Sequence, residues 1–142
     1  MPNKIIINKR IRNFKSQIKV SGDKSLSIRW VLFSSLASGK SVAYNLLKSE
    51  DVFAAINAIK QLGIKARFND KFCEIHGKGL EGFSYKKNLK INAKNSGTLG
   101  RLILGLIINS NKKIQLVGDK SLSKRDFKRV AEPLKKFGAK II

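Results

Sequence analysis

The order strand–helix–strand–helix–strand occurs twice along this chain, and it constrains the fold more than any single motif. In the first pass, Gln17–Ser21 reads as a strand from its alternation and β-branched content, after a short strand at Lys4–Asn8. Lys24–Ser38 reads as a helix that is apolar nearly all round and therefore buried, with Gly39 as its stop. Ser41–Asn45 reads as a strand. Ser49 can cap a second helix, with Glu50 and Asp51 in its first turn and one apolar stripe of Val52, Ala55, Ile56, Ile59 and Leu62. Gly63 ends that helix, and Ile64–Phe68 and Lys71–His76 form a hairpin around Asn69-Asp70.

After a glycine- and lysine-rich loop at Gly77–Lys87 the order begins again. The second pass is strand Leu89–Asn92, helix Gly97–Ile108, strand Lys113–Val117, helix Lys124–Phe137, and a strand from Ala139. Leu62-Gly63 and Phe137-Gly138 mark equivalent points of the two passes. This alternation predicts an α/β fold. The second pass stops on its third strand at Ile141-Ile142, an expectation of a truncated chain.

Three glycine-containing helix starts stand out. They are Val20-Ser21-Gly22-Asp23-Lys24-Ser25-Leu26-Ser27-Ile28-Arg29, Lys94-Asn95-Ser96-Gly97-Thr98-Leu99-Gly100-Arg101 and Gly118-Asp119-Lys120-Ser121-Leu122-Ser123-Lys124-Arg125. A helix start offers unpaired N–H groups and a partial positive charge, so it favours anions. Each start has a small residue four positions before an arginine: Ser25/Arg29, Gly97/Arg101 and Ser121/Arg125. Such a pair shares one helical face. Three starts of this kind could surround one highly anionic ligand; the plainer alternative is three capped core helices with solvated Lys and Arg. The Gly-Asp-Lys-Ser-Leu-Ser echo at Gly22 and Gly118 opens the first helix of one pass and the second of the next, so it is separate from the structural repeat.

In this order, S-G-D-K-S-L-S-I-R, N-S-G-T-x-x-R-L and G-D-x-S-L-S-K-R resemble the 5-enolpyruvylshikimate-3-phosphate synthase (3-phosphoshikimate 1-carboxyvinyltransferase) family. The resemblance runs from about Gln17 to the last residue. It includes Leu46-Leu47-Lys48-Ser49-Glu50-Asp51-Val52 and the tail Arg129-Val130-Ala131-Glu132-Pro133-Leu134. A sister family acting on UDP-N-acetylglucosamine is marked by a K-N-A motif and a reactive-cysteine loop, and neither occurs here.

The resemblance implies repeated βαβαββ units of the enolpyruvyl transferase fold (an inverse α/β prism), here incomplete. Residues 1–21 would pack with a C-terminal domain, and residues 22–142 would form part of the N-terminal domain, one unit and most of a second. It implies transfer of the enolpyruvyl group of phosphoenolpyruvate to the 5-hydroxyl of shikimate 3-phosphate, with release of phosphate and with no metal or organic cofactor. It assigns Lys24, Ser25 and Arg29 to shikimate 3-phosphate, and Lys24, Gly97 and Arg125 to phosphoenolpyruvate. Asn95 and Thr98 flank that site. The proton-transferring carboxylates fall in the other half, so no catalytic acid or base is assigned. The full-length enzyme is expected to be a cytoplasmic monomer. The chain departs from the family pattern at Ile28, where a His is usual, at Leu99-Gly100, and at Asp126-Phe127, where a Pro commonly follows the arginine.

Composition bears on the alternatives. The formal net charge is +21, which calls for an anionic partner. A small lysine-rich nucleic-acid-binding module would satisfy it too. Its bases are 23 lysines spread along the chain and only seven arginines, with aromatics at 8%, whereas base readers lean on arginine and on stacking rings. No nucleic-acid partner is therefore expected. No run of about 18 apolar residues exists, so no membrane span is expected. Cys73 stands alone, which excludes an internal disulfide and fits a reducing compartment. Ser34-Ser35-Leu36-Ala37-Ser38-Gly39-Lys40-Ser41 imitates a phosphate-binding loop, but its Gly-Lys-Ser follows a helix instead of opening one. His76 has no neighbouring ligand set for a metal. Glu50, Asp51 and Asp119 read as caps, and Trp30 as core.

Overall fold

The computed structural model describes residues 6, 8, 15 and 17–142. Most of the strand expected at Lys4–Asn8 lies outside the described residues. Gln17–Ser21 is exposed and forms no strand, which corrects the expectation. The elements are α1 (Lys24–Leu36), β1 (Ser38–Ala43), α2 (Glu50–Gln61), β2 (Lys65–Phe68) and β3 (Cys73–Lys78), then β4 (Leu89–Asn92), α3 (Gly97–Leu106), β5 (Ile114–Val117), α4 (Lys120–Ser123) and α5 (Lys128–Lys136). This is a mixed α/β fold.

The first five elements form one layered unit. β3 is the central strand of an antiparallel sheet in the order β1-β3-β2. Ala43 pairs with Cys73 on one side and Phe68 pairs with Cys73 on the other. The β2–β3 turn is set by Asn69, whose Oδ1 accepts from the N–H groups of Lys71 and Phe72, both at 2.9 Å. α1 and α2 cover one face of the sheet. Ile28, Val31 and Leu32 of α1 and Val52, Ala55 and Ile59 of α2 meet Cys73 and Ile75 in one buried core. Ile91, Leu99 and Ile103 of the second unit join the same core. That second unit is built on the parallel pair β4–β5.

The two expected stops at Leu62-Gly63 and Phe137-Gly138 have the same geometry. Gly63 and Gly138 adopt φ +85° and +92°. In each, the following N–H returns to a carbonyl in the last turn: Ile64 to Ile59 at 3.0 Å and Ala139 to Leu134 at 3.1 Å. Glycine reaches this left-handed conformation without Cβ strain, which is how such helices end.

Four other expectations are corrected. α1 stops at Leu36, and Gly39 lies inside β1 instead of ending the helix. α1 is also not buried all round: Leu26 is 67% and Phe33 59% exposed, while Ser27, Ser34 and Ser35 are buried. The small serines let the helix approach its neighbours closely. The Ser27 hydroxyl caps inward, donating to the Asp23 carbonyl (2.6 Å) and accepting from Leu47 N–H (3.1 Å). Trp30 is partly buried against the core. The helix expected at Lys124–Phe137 begins only at Lys128, as α5, because Asp126 Oδ1 accepts from Lys128 N–H (2.7 Å) in a local turn, and the short α4 lies before the expected span. No strand follows Ala139 among the described residues.

Two predictions follow from packing. A Cβ on Gly22 would fall 2.2 Å from the Asn45 carbonyl oxygen and 2.8 Å from the Leu47 nitrogen, both backbone atoms. Gly22→Ala should therefore destabilise the fold by about 1–3 kcal/mol, the scale of overpacking, in chemical denaturation. Burial pushes the Cys73 thiol up to about 11, against a smaller opposing pull from Lys60. The thiolate is the reactive form. Native Cys73 should resist alkylation at pH 8 and react promptly once the chain is unfolded; equal rates in both states would contradict its place in the core.

Candidate anion-binding site

The second and third glycine-containing helix starts lie side by side because β4 and β5 are parallel neighbours and both strands lead into helices. Backbone pairing continues past the strand ends. Ala93 N–H donates to the Val117 carbonyl (2.8 Å) and Asp119 N–H to the Lys94 carbonyl (2.9 Å). Gly118 makes this approach possible: a Cβ there would lie 2.8 Å from the Lys94 oxygen and 2.4 Å from the Leu122 side chain. Ser96 caps α3 through Leu99 N–H (3.2 Å), and Asp119 caps α4 through Leu122 N–H (2.7 Å). Asp119 is thus a cap, as expected. Hydrogen bonding from Leu122 N–H first, then from Asn95 and Ser121 N–H, with the Arg125 charge, holds its carboxyl below the usual range.

These caps build a polar chain across the two starts. Asn95 donates its amide to Asp119 Oδ2 (2.8 Å) and accepts from Arg125 Nη2 (2.7 Å). Arg125 lies beyond the end of α4, so the expected four-residue spacing on one helical face with Ser121 is not what places it. The Asn95–Asp119 bridge does so instead. A Cβ on Gly97, a buried residue, would lie 2.6 Å from Nη1 of Arg125 and 3.1 Å from Nη1 of Arg101. The two guanidinium groups therefore converge on the first residue of α3, which has no side chain to push them aside. Thr98 follows, half-buried in the same first turn. Gly97, Asn95, Thr98 and Arg125 are brought together.

The first helix start is built differently. Asp23 caps α1 through Leu26 N–H (2.7 Å). Lys24 Nζ reaches Asp51 Oδ2 in the first turn of α2 (3.3 Å). Ser25 is half-buried and Arg29 exposed, one turn apart on α1, and Arg29 has no acidic partner among the described residues. A groove of about 550 Å³ between α2 and the end of β4, lined in part by Glu50, Phe53, Asn57 and Lys94, contains none of these candidate ligands. Among the described residues no cluster of His, Cys, Asp and Glu could hold a metal, and no helix is long and apolar enough to cross a membrane. His76 instead contacts Glu74 at 3.0 Å.

Arg101 is the residue that sequence reasoning left without a role. Its guanidinium donates to the Asp126 carbonyl (3.3 Å) and stands 5.6 Å from the centre of the Phe127 ring. Its signals in the sequence were its spacing from Gly97 and its place as the arginine of N-S-G-T-x-x-R-L.

Known proteins resemble this chain in sequence and in fold. The chain is 41% identical to the 3-phosphoshikimate 1-carboxyvinyltransferase of a Sulfurihydrogenibium species, over 94% of this chain and 31% of that protein. It is 40% identical to the enzyme of the same name from Streptococcus mutans, over 88% of this chain and 29% of that one. Two structures of EPSP synthase from Acinetobacter baumannii superpose with TM-scores of 0.78 and 0.82 at 35% and 34% identity, covering 89% and 90% of this chain and 29% of each of those chains. The chain thus spans about a third of the length of the relatives it matches. A family model described as EPSP synthase (3-phosphoshikimate 1-carboxyvinyltransferase) matches residues 8–142, and the chain belongs to that family.

Proposed function

We propose that this chain supplies part of the substrate site of an enzyme that moves the enolpyruvyl group of phosphoenolpyruvate to the 5-hydroxyl of shikimate 3-phosphate. The convergence of Arg125 and the Asn95–Asp119 bridge on buried Gly97 is the observation that carries this reading. The 5-hydroxyl loses its proton as its oxygen bonds to C2 of phosphoenolpyruvate, while a proton adds to C3. A proton then leaves C3, the C2–O bond to phosphate breaks, and the vinyl group is restored on the new ether.

The residues of this chain bind and orient in that reaction. Arg125 presents a planar fork that can grip a carboxylate or phosphate in bidentate fashion. Gly97 lets an anion lie against backbone N–H groups at the start of α3, where the helix dipole adds positive potential. Lys24 would serve both substrates, and its contact with Asp51 fixes it while leaving it partly in solvent. Ser25 and Arg29, one turn apart, would hold the 3-phosphate of the sugar. Asn95 positions Arg125, and Thr98 borders the same anion. The acid and base for the C3 proton belong to the remaining two-thirds of the enzyme in this reading.

The test joins residues 1–142 to the remainder of a related enzyme. In that protein Arg125→Ala should raise the KM for phosphoenolpyruvate, and Arg29→Ala should weaken shikimate 3-phosphate binding. Each effect should be roughly 10- to 100-fold, from about 1.5–3 kcal/mol for a charged hydrogen bond. Lys86→Ala, in the exposed loop, should change neither. Arg29→Ala binding the sugar phosphate like the parent, together with tight duplex DNA binding that falls steeply with salt, would overturn the assignment in favour of a nucleic-acid surface.

The 142-residue polypeptide alone is expected to release no phosphate from the two substrates above a blank, because it spans only about a third of its relatives. Release above the blank would show that the chemistry needs less of the protein than this reading assigns.

A further inference from the structure

Two of the positions at which this chain departs from its family pattern touch each other. A Cβ on Gly100 would lie 3.2 Å from two ring atoms of Phe127. Gly100 is buried within α3, where glycine is less favourable than alanine. Its cost to the helix is matched by the space it leaves for an aromatic ring. That ring carries the Arg101 guanidinium 5.6 Å from its centre, while the Asp126 carbonyl accepts from Arg101 Nη2 (3.3 Å). Arginine stacks on an aromatic face more readily than lysine.

The carboxylates nearby do not neutralise this charge. Asp119 is turned to Leu122 N–H and Asn95, and Asp126 to Lys128 N–H. Among the described residues neither Arg101 nor Arg125 has a carboxylate within ion-pair distance. Two like charges are therefore held toward one glycine at a helix start without a direct ion pair to either. An anion between them would relieve their repulsion.

We infer that Arg101 is a second guanidinium for the anion at Gly97, and that Phe127 positions it through the space left by Gly100. The inference rests on the phosphoenolpyruvate reading of Gly97 and Arg125. It adds a ligand, Arg101, and a positioning pair, Gly100 and Phe127, to that site. A substrate with two separate anionic groups, as phosphoenolpyruvate has, suits two forks better than one.

The test is a titration of the 142-residue chain with phosphoenolpyruvate, and separately with inorganic phosphate, following the arginine Nε–H signals by NMR. Arg101 and Arg125 should shift together with one dissociation constant for phosphoenolpyruvate, and phosphate should bind more weakly. Phe127→Leu keeps an apolar side chain but removes the ring face. It should weaken phosphoenolpyruvate binding about two- to fivefold, the scale of an exposed cation–π contact. Gly100→Ala should also weaken binding, although helix propensity alone would make it stabilising. In the double variant Gly100→Ala/Phe127→Leu, thermal stability should return to at least the parent level while the affinity stays low. A purely structural role predicts that stability and affinity recover together, and that result overturns the inference. So does an Arg125 signal that shifts while Arg101 stays still, which would leave the Gly97–Arg125 reading intact. If neither arginine responds at millimolar phosphoenolpyruvate, the reading of the site fails and the inference fails with it.

Discussion

The second half of the chain depends on one short backbone seam. Parallel pairing of β4 with β5 does not end at Asn92 and Val117 but continues through Ala93 to Val117 and Asp119 to Lys94. Parallel strands leave in the same direction, so the segments after them emerge as neighbours. The helix starts at Gly97 and Lys120 are adjacent for that reason, although they are far apart in sequence. Gly118 is the small residue that lets the seam close, since any Cβ there would strike the Lys94 carbonyl.

Once the two starts are adjacent, their caps become part of a site. Asp119 satisfies an N–H of α4 and, with its other oxygen, holds Asn95. Asn95 then holds Arg125. Local helix capping is thus converted into orientation of a cation by a single intermediate amide. Hydrogen bonds of this kind restrict an arginine without cancelling its charge, which a direct carboxylate pair at Arg125 would do. The same economy appears at α1, where Asp23 and Ser27 tie the helix start to Leu26 and Leu47, leaving Ser25 and Arg29 on the outer turn.

Much of this was legible from pattern alone. The predicted span of β4 coincides with the observed one, and α2 and α3 begin where Ser49 and Ser96 can cap them. Both glycine stops hold because φ near +90° selects glycine whatever surrounds it. One failure came from reading burial off composition. α1 carries apolar residues on every side, but its buried face is chosen by which residues allow close approach, so Ser27, Ser34 and Ser35 go inward and Leu26 and Phe33 outward. α5 reads as beginning at Lys124 because each residue from there tolerates helix, whereas the Asp126 turn delays its start to Lys128.

The sequence by itself determined the alternation of elements from α1 to β5, the helix stops at Gly63 and Gly138, the capping residues, and the ordered motifs that mark the family. Each of these depends on residues close together along the chain, where propensity, capping chemistry and glycine conformation act directly. Tertiary structure alone decided that Arg125 and Arg101 face one glycine, that Asn95 and Asp119 hold the first, and that Phe127 supports the second. Those contacts join positions that only the parallel strand pair brings together. Spacing along one helix cannot report them, because Arg125 is not on a helix and its partners belong to another strand's end.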